Sequence, residues 1–185
     1  RRWWISPKPK PGYEIHPAFI RGGKILDYIY PAAFEATLYD DSATAYRGEV
    51  EIDADDDTYD YANDIMASVA GFQPISGETD HLDILEARQL ASNRGSGWAQ
   101  HDYLTQSAWT MLAIVEYAHF NFQDQLSEGI TNLDSGTVNH AQDTGHTTSL
   151  GNSSGEVVID TLENGATGAD ETYACSYRGI ENPYG

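Results

Sequence analysis

Apolar residues between positions 81 and 94 recur with the spacing of a helix. Three of them fall on one face: Ile84, Ala87 and Ala91. Asp80 stands where an N-cap is expected, with Asp83 in the first turn, and Gly95 follows the last apolar position as a stop signal. The pattern predicts an amphipathic helix over residues 81–94.

A second helical pattern runs from Leu104 to Phe120. One face carries Leu104, Ala108, Leu112 and Val115, and the other faces are also apolar through Trp109, Met111 and Ile114. A helix that is apolar on nearly every side is usually buried, so residues 104–120 are expected to form a central core helix.

Glu116 interrupts this apolar pattern. One interpretation is a general acid with a perturbed pKa. The other, which we favour, is a core carboxylate satisfied by backbone groups or by an arginine.

The segments on either side of the two helices are rich in β-forming residues. Residues 18–39 contain Gly22-Gly23 between two apolar runs, a pair that favours a hairpin turn, and Val157-Val158-Ile159 is typical of a short strand. The sequence therefore predicts an α+β fold, with the two helices packed on small twisted antiparallel sheets.

Two segments lack this regularity. Residues 1–17 hold four prolines together with Trp3 and Trp4, which predicts an extended arm ahead of a body at 18–185. Exposed apolar patches usually mark contacts, so we expect the arm to build a symmetric homo-oligomer or to dock on a partner. Residues 126–174 are rich in Gly, Ser, Thr and Asn and are expected to form long surface loops.

Charge narrows the classes of partner. The chain of 185 residues carries 29 Asp and Glu against ten Lys and Arg, a net charge of −19. Such a charge repels phosphate backbones and argues against a nucleic-acid partner. With only three lysines, the acidic surface fits either an ordinary soluble protein or a halophilic one, in which salt screens the self-repulsion.

Hydropathy argues against a membrane-spanning protein, and the cysteine content argues against disulfides and thiolate metal sites. No run of eighteen apolar residues is present, so no membrane span is expected. Cys175 is the single cysteine, which leaves no internal disulfide and no thiolate metal cage. Its strand-like neighbours predict a buried, inert thiol.

One local pattern suggests a nucleophile. The segment Gly151-Asn152-Ser153-Ser154-Gly155 matches G-x-S-x-G, which in a nucleophile elbow is followed by a helix. Here strand-forming residues follow instead, so a loop is expected.

One other pattern suggests metal binding. Asp53, Asp55, Asp57 and Asp64 fit positions 1, 3, 5 and 12 of a calcium loop, but Thr58 occupies the glycine position, and a solvated acidic loop is the favoured alternative. The histidines, at positions 16, 81, 101, 119, 140 and 146, lack metal-site spacing. We therefore expect no catalytic residue, no metal and no cofactor.

Two motifs are similar to sequences of phage structural and tail-fibre proteins. They are R-G-S-G-W at residues 94–98 and Y-R-G-I-E-N-P at residues 177–183. Further similar segments lie at 68–74, 116–121 and 149–152, and the resemblance covers residues 14–185.

The same layout resembles, more distantly, the C-type-lectin-like fold of formylglycine-generating-enzyme and sulfatase-modifying domains. This resemblance implies a fold and not a reaction, because oxidase members use paired cysteines and iron-dependent relatives use a histidine triad, neither of which this sequence has. Members of the phage family continue past the final glycine with an Asn-x-Trp strand, so the lectin-like domain is expected to be incomplete at its C-terminal end.

The resemblance implies a virion structural protein of a tailed bacterial or archaeal virus, in a tail or head fibre, with a role in host attachment. Its partners would be other virion proteins and a glycan or protein of the host surface. Contacts would come from loops in 126–174 or from Tyr173, Tyr177 and Tyr184, for which strand packing is the alternative. A capsid-decoration or baseplate component without receptor contact is the second hypothesis, and an enzyme on the same fold is the third.

Overall fold

The computed structural model describes residues 6, 8–48, 60–75, 82–127, 142–159 and 173–184. Within these ranges it has two helices and eight short strands in three antiparallel sheets, which confirms the predicted α+β class. The helices are α1 (Ile84–Asn93) and α2 (Tyr103–Tyr117). The strands are β1 (Ile20–Arg21), β2 (Lys24–Ile25), β3 (Thr37–Asp40), β4 (Ala45–Arg47), β5 (Ile65–Ala67), β6 (Gly155–Val158), β7 (Tyr173–Tyr177) and β8 (Ile180–Glu181).

The chain divides into two compact units. Unit 1 comprises residues 1–31 and 101–125, and unit 2 comprises residues 32–100 and 126–185. Neither helix in the described part of the chain is long and apolar enough to cross a membrane.

Unit 1 begins with the predicted hairpin. Arg21 of β1 pairs with Lys24 of β2 across Gly22 and Gly23, whose φ angles are 56° and 75°. Positive φ at both central residues is the geometry of a type I′ turn, which glycine adopts without steric cost. The hairpin is confirmed, but each of its strands has only two residues. Trp3 and Trp4 of the predicted arm lie outside the described residues.

Helix α2 lies where the sequence predicts it, but the expectation of a buried core helix is wrong. Only Thr105 and Ala113 are buried along it, while Leu112 and Val115 are exposed. Trp109 is only partly buried. The physical reason is the small core of unit 1: among its described residues Phe122 is the one large apolar side chain that is buried.

Unit 2 has its own core between a sheet and a helix. Strand β3 is central in the order β4-β3-β5, and α1 packs on β5. Leu38 of β3 and Leu90 of α1 are fully buried, with Met66, Ile75 and Leu82 packed against them. Burial of these apolar side chains stabilises the unit by removing them from water.

The start of α1 differs from the prediction. Asp83, and not Asp80, is the N-cap: its carboxylate accepts from the N–H groups of Leu85 and Glu86, and Glu86 accepts from the N–H of Asp83. This reciprocal capping box moves the start of the helix to Ile84. The buried face also shifts to Ala87, Leu90 and Ala91, which leaves Ile84 exposed.

The remaining sheet of unit 2 has the order β6-β7-β8. Arg178 and Gly179 connect β7 to β8 with φ angles of 53° and 86°, again a two-residue turn of the I′ kind. The N–H of Glu181 donates to the carbonyl of Ala33 at 2.8 Å, which ties β8 to the chain just before β3.

Candidate functional site

The carboxylate of Glu181, within the Y-R-G-I-E-N-P motif, is buried and holds a neighbouring turn. Its Oε1 accepts from the N–H of Gly145 at 2.7 Å, and its Oε2 accepts from the N–H and the hydroxyl of Thr147 at 2.8 and 2.7 Å. Three donors offset the cost of burying this charge. The carboxylate therefore has a structural role.

Glu35 and His146 lie in the same unit, and each has a feature that can mark a functional site. The residue Glu35 as a whole is exposed, but partial burial of its carboxyl group raises its pKa, and the like charge of Glu181 raises it further. His146 follows Gly145 in the turn that Glu181 holds, and its Nε2 is buried with no hydrogen-bond partner in the described part of the chain. Acid–base catalysis needs two groups positioned on one substrate, and these features alone do not supply that arrangement.

The structure gives no support to the calcium loop. Asp53, Asp55 and Asp57 lie outside the described residues. Asp64 is buried, and its two carboxylate oxygens accept from the backbone N–H groups of Asp41 at 2.9 Å and Asp60 at 2.7 Å. Over the described ranges, no group of three or more His, Cys, Asp or Glu side chains is placed to hold a metal ion.

The serine motif lies in a loop, as predicted. A 3₁₀ turn at Thr148–Leu150 comes before it, and β6 begins at Gly155 immediately after. A nucleophile elbow has the opposite order, with a strand before the serine and a helix after it. The Ser153 carbonyl accepts instead from the hydroxyl of Ser176 at 3.1 Å, which joins the loop to β7.

Residues of β7 are part of the core of unit 2. Cys175 is 1% exposed, and burial raises the pKa of its thiol to about 11, which confirms the predicted inert state. Tyr177 is 2% exposed and lies 6.2 Å from the Tyr184 ring, between centroids. Stacking of Tyr177 on a sugar is therefore ruled out in this structure, and its alternative role in packing is the correct one.

The R-G-S-G-W motif shapes the end of α1. Arg94 is the C-cap, and its guanidinium lies over the ring of Trp98 at 4.5 Å from the centroid. The N–H of Trp98 donates to the carbonyl of Gly95 at 3.2 Å. This cation–π contact orders a tryptophan that keeps an exposed edge.

The N-terminus of α2 is anchored to the hairpin of unit 1. Asp102 caps the helix by accepting from the N–H and the hydroxyl of Thr105, both at 2.8 Å, and it forms a two-point ion pair with Arg21. Hydrogen bonding to Arg21 holds the pKa of Asp102 well below its usual range. The anchor ties the start of α2 to strand β1 within unit 1.

Unit 1 carries a concentration of exposed apolar side chains. Of the eighteen large apolar residues that are exposed in the described ranges, twelve belong to this unit. We call these twelve the apolar surface of unit 1: Tyr13, Ile15, Ile20, Ile25, Leu26, Tyr28, Tyr30, Tyr103, Leu104, Leu112, Val115 and Phe120. Because these side chains are concentrated in one unit, unit 1 is the candidate docking surface of the described part of the chain.

Charge is divided unequally between the units. The sequence of unit 1 holds six Lys and Arg and five Asp and Glu, a net charge of +1. Unit 2 holds four Lys and Arg and 24 Asp and Glu, a net charge of −20. The candidate docking surface is therefore on the nearly neutral unit, and the acidic character belongs to the other.

Sequence reasoning did not identify this surface, because it assigned α2 to the core and placed the docking site in residues 1–17. A signal was present: residues 103–117 contain one charged residue, Glu116, which the structure places in an exposed position and not in a core. The uneven distribution of carboxylates along the chain was a second signal.

Comparison with protein-family models, with curated proteins and with solved structures gives no match. The resemblance to phage proteins and the lectin-like fold stay predictions.

Proposed function

We propose that this chain is a non-enzymatic structural protein of a tailed virion, part of a tail or head fibre, with a role in host attachment. The observation that carries the assembly role is the apolar surface of unit 1. Its twelve side chains lie in two short segments, residues 13–30 and 103–120, and exposed apolar area that is concentrated in this way often marks a contact with another protein. A virion component buries such a surface against its neighbours in the particle.

The polar groups of unit 2 support the non-enzymatic part of the proposal. The buried carboxylates of Asp40, Asp64 and Glu181 all accept hydrogen bonds from backbone N–H groups. Such bonds occupy the carboxylate oxygens and give these groups a structural role. Their arrangement fits a rigid scaffold.

The motifs behind the resemblance are consistent with this scaffold role. R-G-S-G-W ends a helix and orders Trp98, while Y-R-G-I-E-N-P forms a hairpin whose Glu181 holds a second loop. Residues that are shared for structural reasons imply a common fold more directly than a common ligand.

A capsid-decoration or baseplate component without receptor contact is the second candidate. The burial of Tyr177 favours it, since one of three tyrosines that could have contacted a receptor is instead in the core. The other attachment region, residues 126–174, is described only at 126–127, 142–159 and 173–174.

The location of the chain tests the virion role. Mass spectrometry of gradient-purified particles should detect the chain, and antibodies against it should label the tail or head fibres in electron micrographs. A chain that is expressed during infection but missing from purified particles would contradict the proposal.

Competition for adsorption separates attachment from a purely structural role. Purified chain in excess should slow the adsorption of particles to host cells, whereas an unrelated protein of similar size and net charge should not. If the chain is present in purified particles but an excess of free chain leaves adsorption unchanged, the decoration or baseplate candidate is favoured.

A further inference from the structure

Four residues of α2 form a seam along the helix: Leu104, Ala108, Met111 and Val115. Their spacing of four, three and four residues is the heptad spacing at which two helices interlock side chains. Leu104 and Val115 are 37% and 47% exposed, and Ala108 and Met111 are partly exposed. Leu112, 40% exposed, lies beside the seam.

We propose that the α2 seam packs against the α2 seam of a second copy of this chain, so that unit 1 is the self-association surface of the protein. A symmetric pair places the same patch on both sides of the contact. The seam suits such a contact because all four of its side chains are uncharged, and apolar groups need no matching partner charge.

Electrostatics favour a second copy over contacts made through the rest of the chain. Two copies that met through unit 2 would bring surfaces of net charge −20 together, whereas unit 1 carries +1. A basic partner protein would be attracted to unit 2 and not to the neutral seam. Of the surfaces through which two copies could meet, the nearly neutral, apolar surface of unit 1 is therefore the one with the least repulsion.

The seam by itself is short. From Leu104 to Val115 a helix rises about 16 Å, about one and a half heptads, which is too little for an isolated coiled coil to be stable in water. Exposed side chains of the hairpin segment, such as Ile25, Tyr28 and Tyr30, enlarge the apolar area that unit 1 can offer. A stable interface needs a total buried area on the order of 1,000 Å² or more.

The mass of the purified protein tests the proposal directly. Sedimentation equilibrium should give a multiple of the 20.4 kDa chain at micromolar concentration. Association should strengthen between 0.15 and 1 M NaCl, because salt screens the repulsion between acidic units and leaves apolar contact intact. A single-chain mass at both salt concentrations would overturn the proposal and assign the surface to another protein or to another part of this chain.

Leu104→Glu tests the seam, with Leu85→Glu as the matched control. Both leucines are the second residue of a helix that follows an aspartate N-cap, and both are exposed, but Leu85 is in unit 2. We expect Leu104→Glu to raise the dissociation constant about a hundredfold or more, since a symmetric contact places the new charge in the interface twice. Leu85→Glu should leave the dissociation constant within about threefold of the wild-type value, as expected for a surface site outside the contact.

Val115→Glu is the second variant, with Val158→Glu on exposed β6 as its control. Circular dichroism identifies any variant that fails to fold. Oligomers that persist in both folded seam variants, or controls that dissociate equally, would overturn the proposal. The outcome does not depend on the virion role: self-association is measured on the isolated chain, and the virion role is measured on particles.

Discussion

Carboxylates at several points of the chain accept hydrogen bonds from backbone N–H groups, and Asp40, Asp64, Asp102 and Glu181 are four of them. They hold the β3–β4 loop, the loop before β5, the start of α2 and the turn at residues 145–147. Part of the acidic character therefore serves the fold and is not only a property of the surface.

Glu181→Gln should destabilise unit 2 by about 1–3 kcal/mol, because an amide has one acceptor oxygen and would turn its NH₂ group towards a backbone donor. The three hydrogen bonds to Gly145 and Thr147 cannot all be kept. Urea denaturation followed by circular dichroism measures the loss. Glu156→Gln, on exposed β6 of the same sheet, is the control and should change the free energy of unfolding by less than about 0.5 kcal/mol. Equal effects of the two variants would show that the buried network contributes nothing specific.

Glu35 should make the fold less stable as pH rises. Burial and the charge of Glu181 raise the pKa of Glu35 in the folded state, so its stabilising contribution is complete below the unfolded pKa of about 4.3 and is lost as pH rises through the folded pKa. Glu35→Gln should therefore increase stability at pH 7 and have a smaller effect near pH 4. Thermal unfolding at the two pH values checks this expectation. A Glu35→Gln variant that is less stable than the wild type at pH 7 would mean that the charged form is favoured.

At the scale of elements, two hairpins share one turn geometry in different surroundings. Gly23 and Gly179 each hold the second central position, with φ angles of 75° and 86°. A Cβ at Gly23 would meet nothing within 4 Å, while a Cβ at Gly179 would lie 2.9 Å from Asn152 Oδ1 and 3.3 Å from the Gly151 carbonyl oxygen. Replacing each glycine by alanine therefore distinguishes the stability cost of backbone strain from the cost of steric contact.

Gly179→Ala should destabilise the protein by about 2–3 kcal/mol, and Gly23→Ala by about 1 kcal/mol, since only the first adds a steric contact to the strain of a positive φ. Denaturant titration of both variants gives the two values. A Gly23→Ala variant that is as unstable as Gly179→Ala would indicate that backbone strain alone determines the cost.

At the scale of the whole molecule, repulsion among carboxylates is the dominant electrostatic effect. The described residues contain two side-chain ion pairs, Arg21–Asp102 and Arg47–Asp40, while the complete chain has a net charge of −19. Salt therefore screens few attractive interactions between side chains and many repulsive ones between carboxylates. This balance predicts that added salt stabilises the protein.

The urea midpoint of unfolding should rise between 0.1 and 1 M NaCl, because the Debye length falls from about 10 Å to about 3 Å. The titrations use the Leu104→Glu variant, because salt is expected to strengthen the self-association of the wild type, which would itself raise the midpoint. A midpoint that is unchanged or lower in 1 M NaCl would show that self-repulsion is not what limits stability, and would count against a halophilic source.

Local chemistry explains which expectations from sequence were confirmed. The Gly22-Gly23 hairpin, the helical segments near 84 and 104, the loop at Ser153 and the strand at Val157 were all predicted correctly. Each depends on residues close together in the chain, through turn geometry, capping or periodicity. The N-cap was misplaced by three residues, although the sequence held the signal: Glu86 stands three residues after Asp83, the spacing of a capping box, and Asp80 has no Glu or Gln at that distance.

Burial and the roles of the acids depended on the tertiary structure. The apolar periodicity of α2 predicted the helix but could not show which of its faces other side chains cover. Leu112, Val115 and Glu116 were therefore assigned to a core, whereas the structure leaves all three exposed. The partners of Glu181 lie 34 and 36 positions away along the chain, beyond the reach of any local pattern. The sequence by itself determined the α+β class, the local turns and the acidic charge, because these follow from composition and near neighbours. Only the tertiary structure decided which apolar face stays exposed and which carboxylates are held, because both depend on contacts between distant segments.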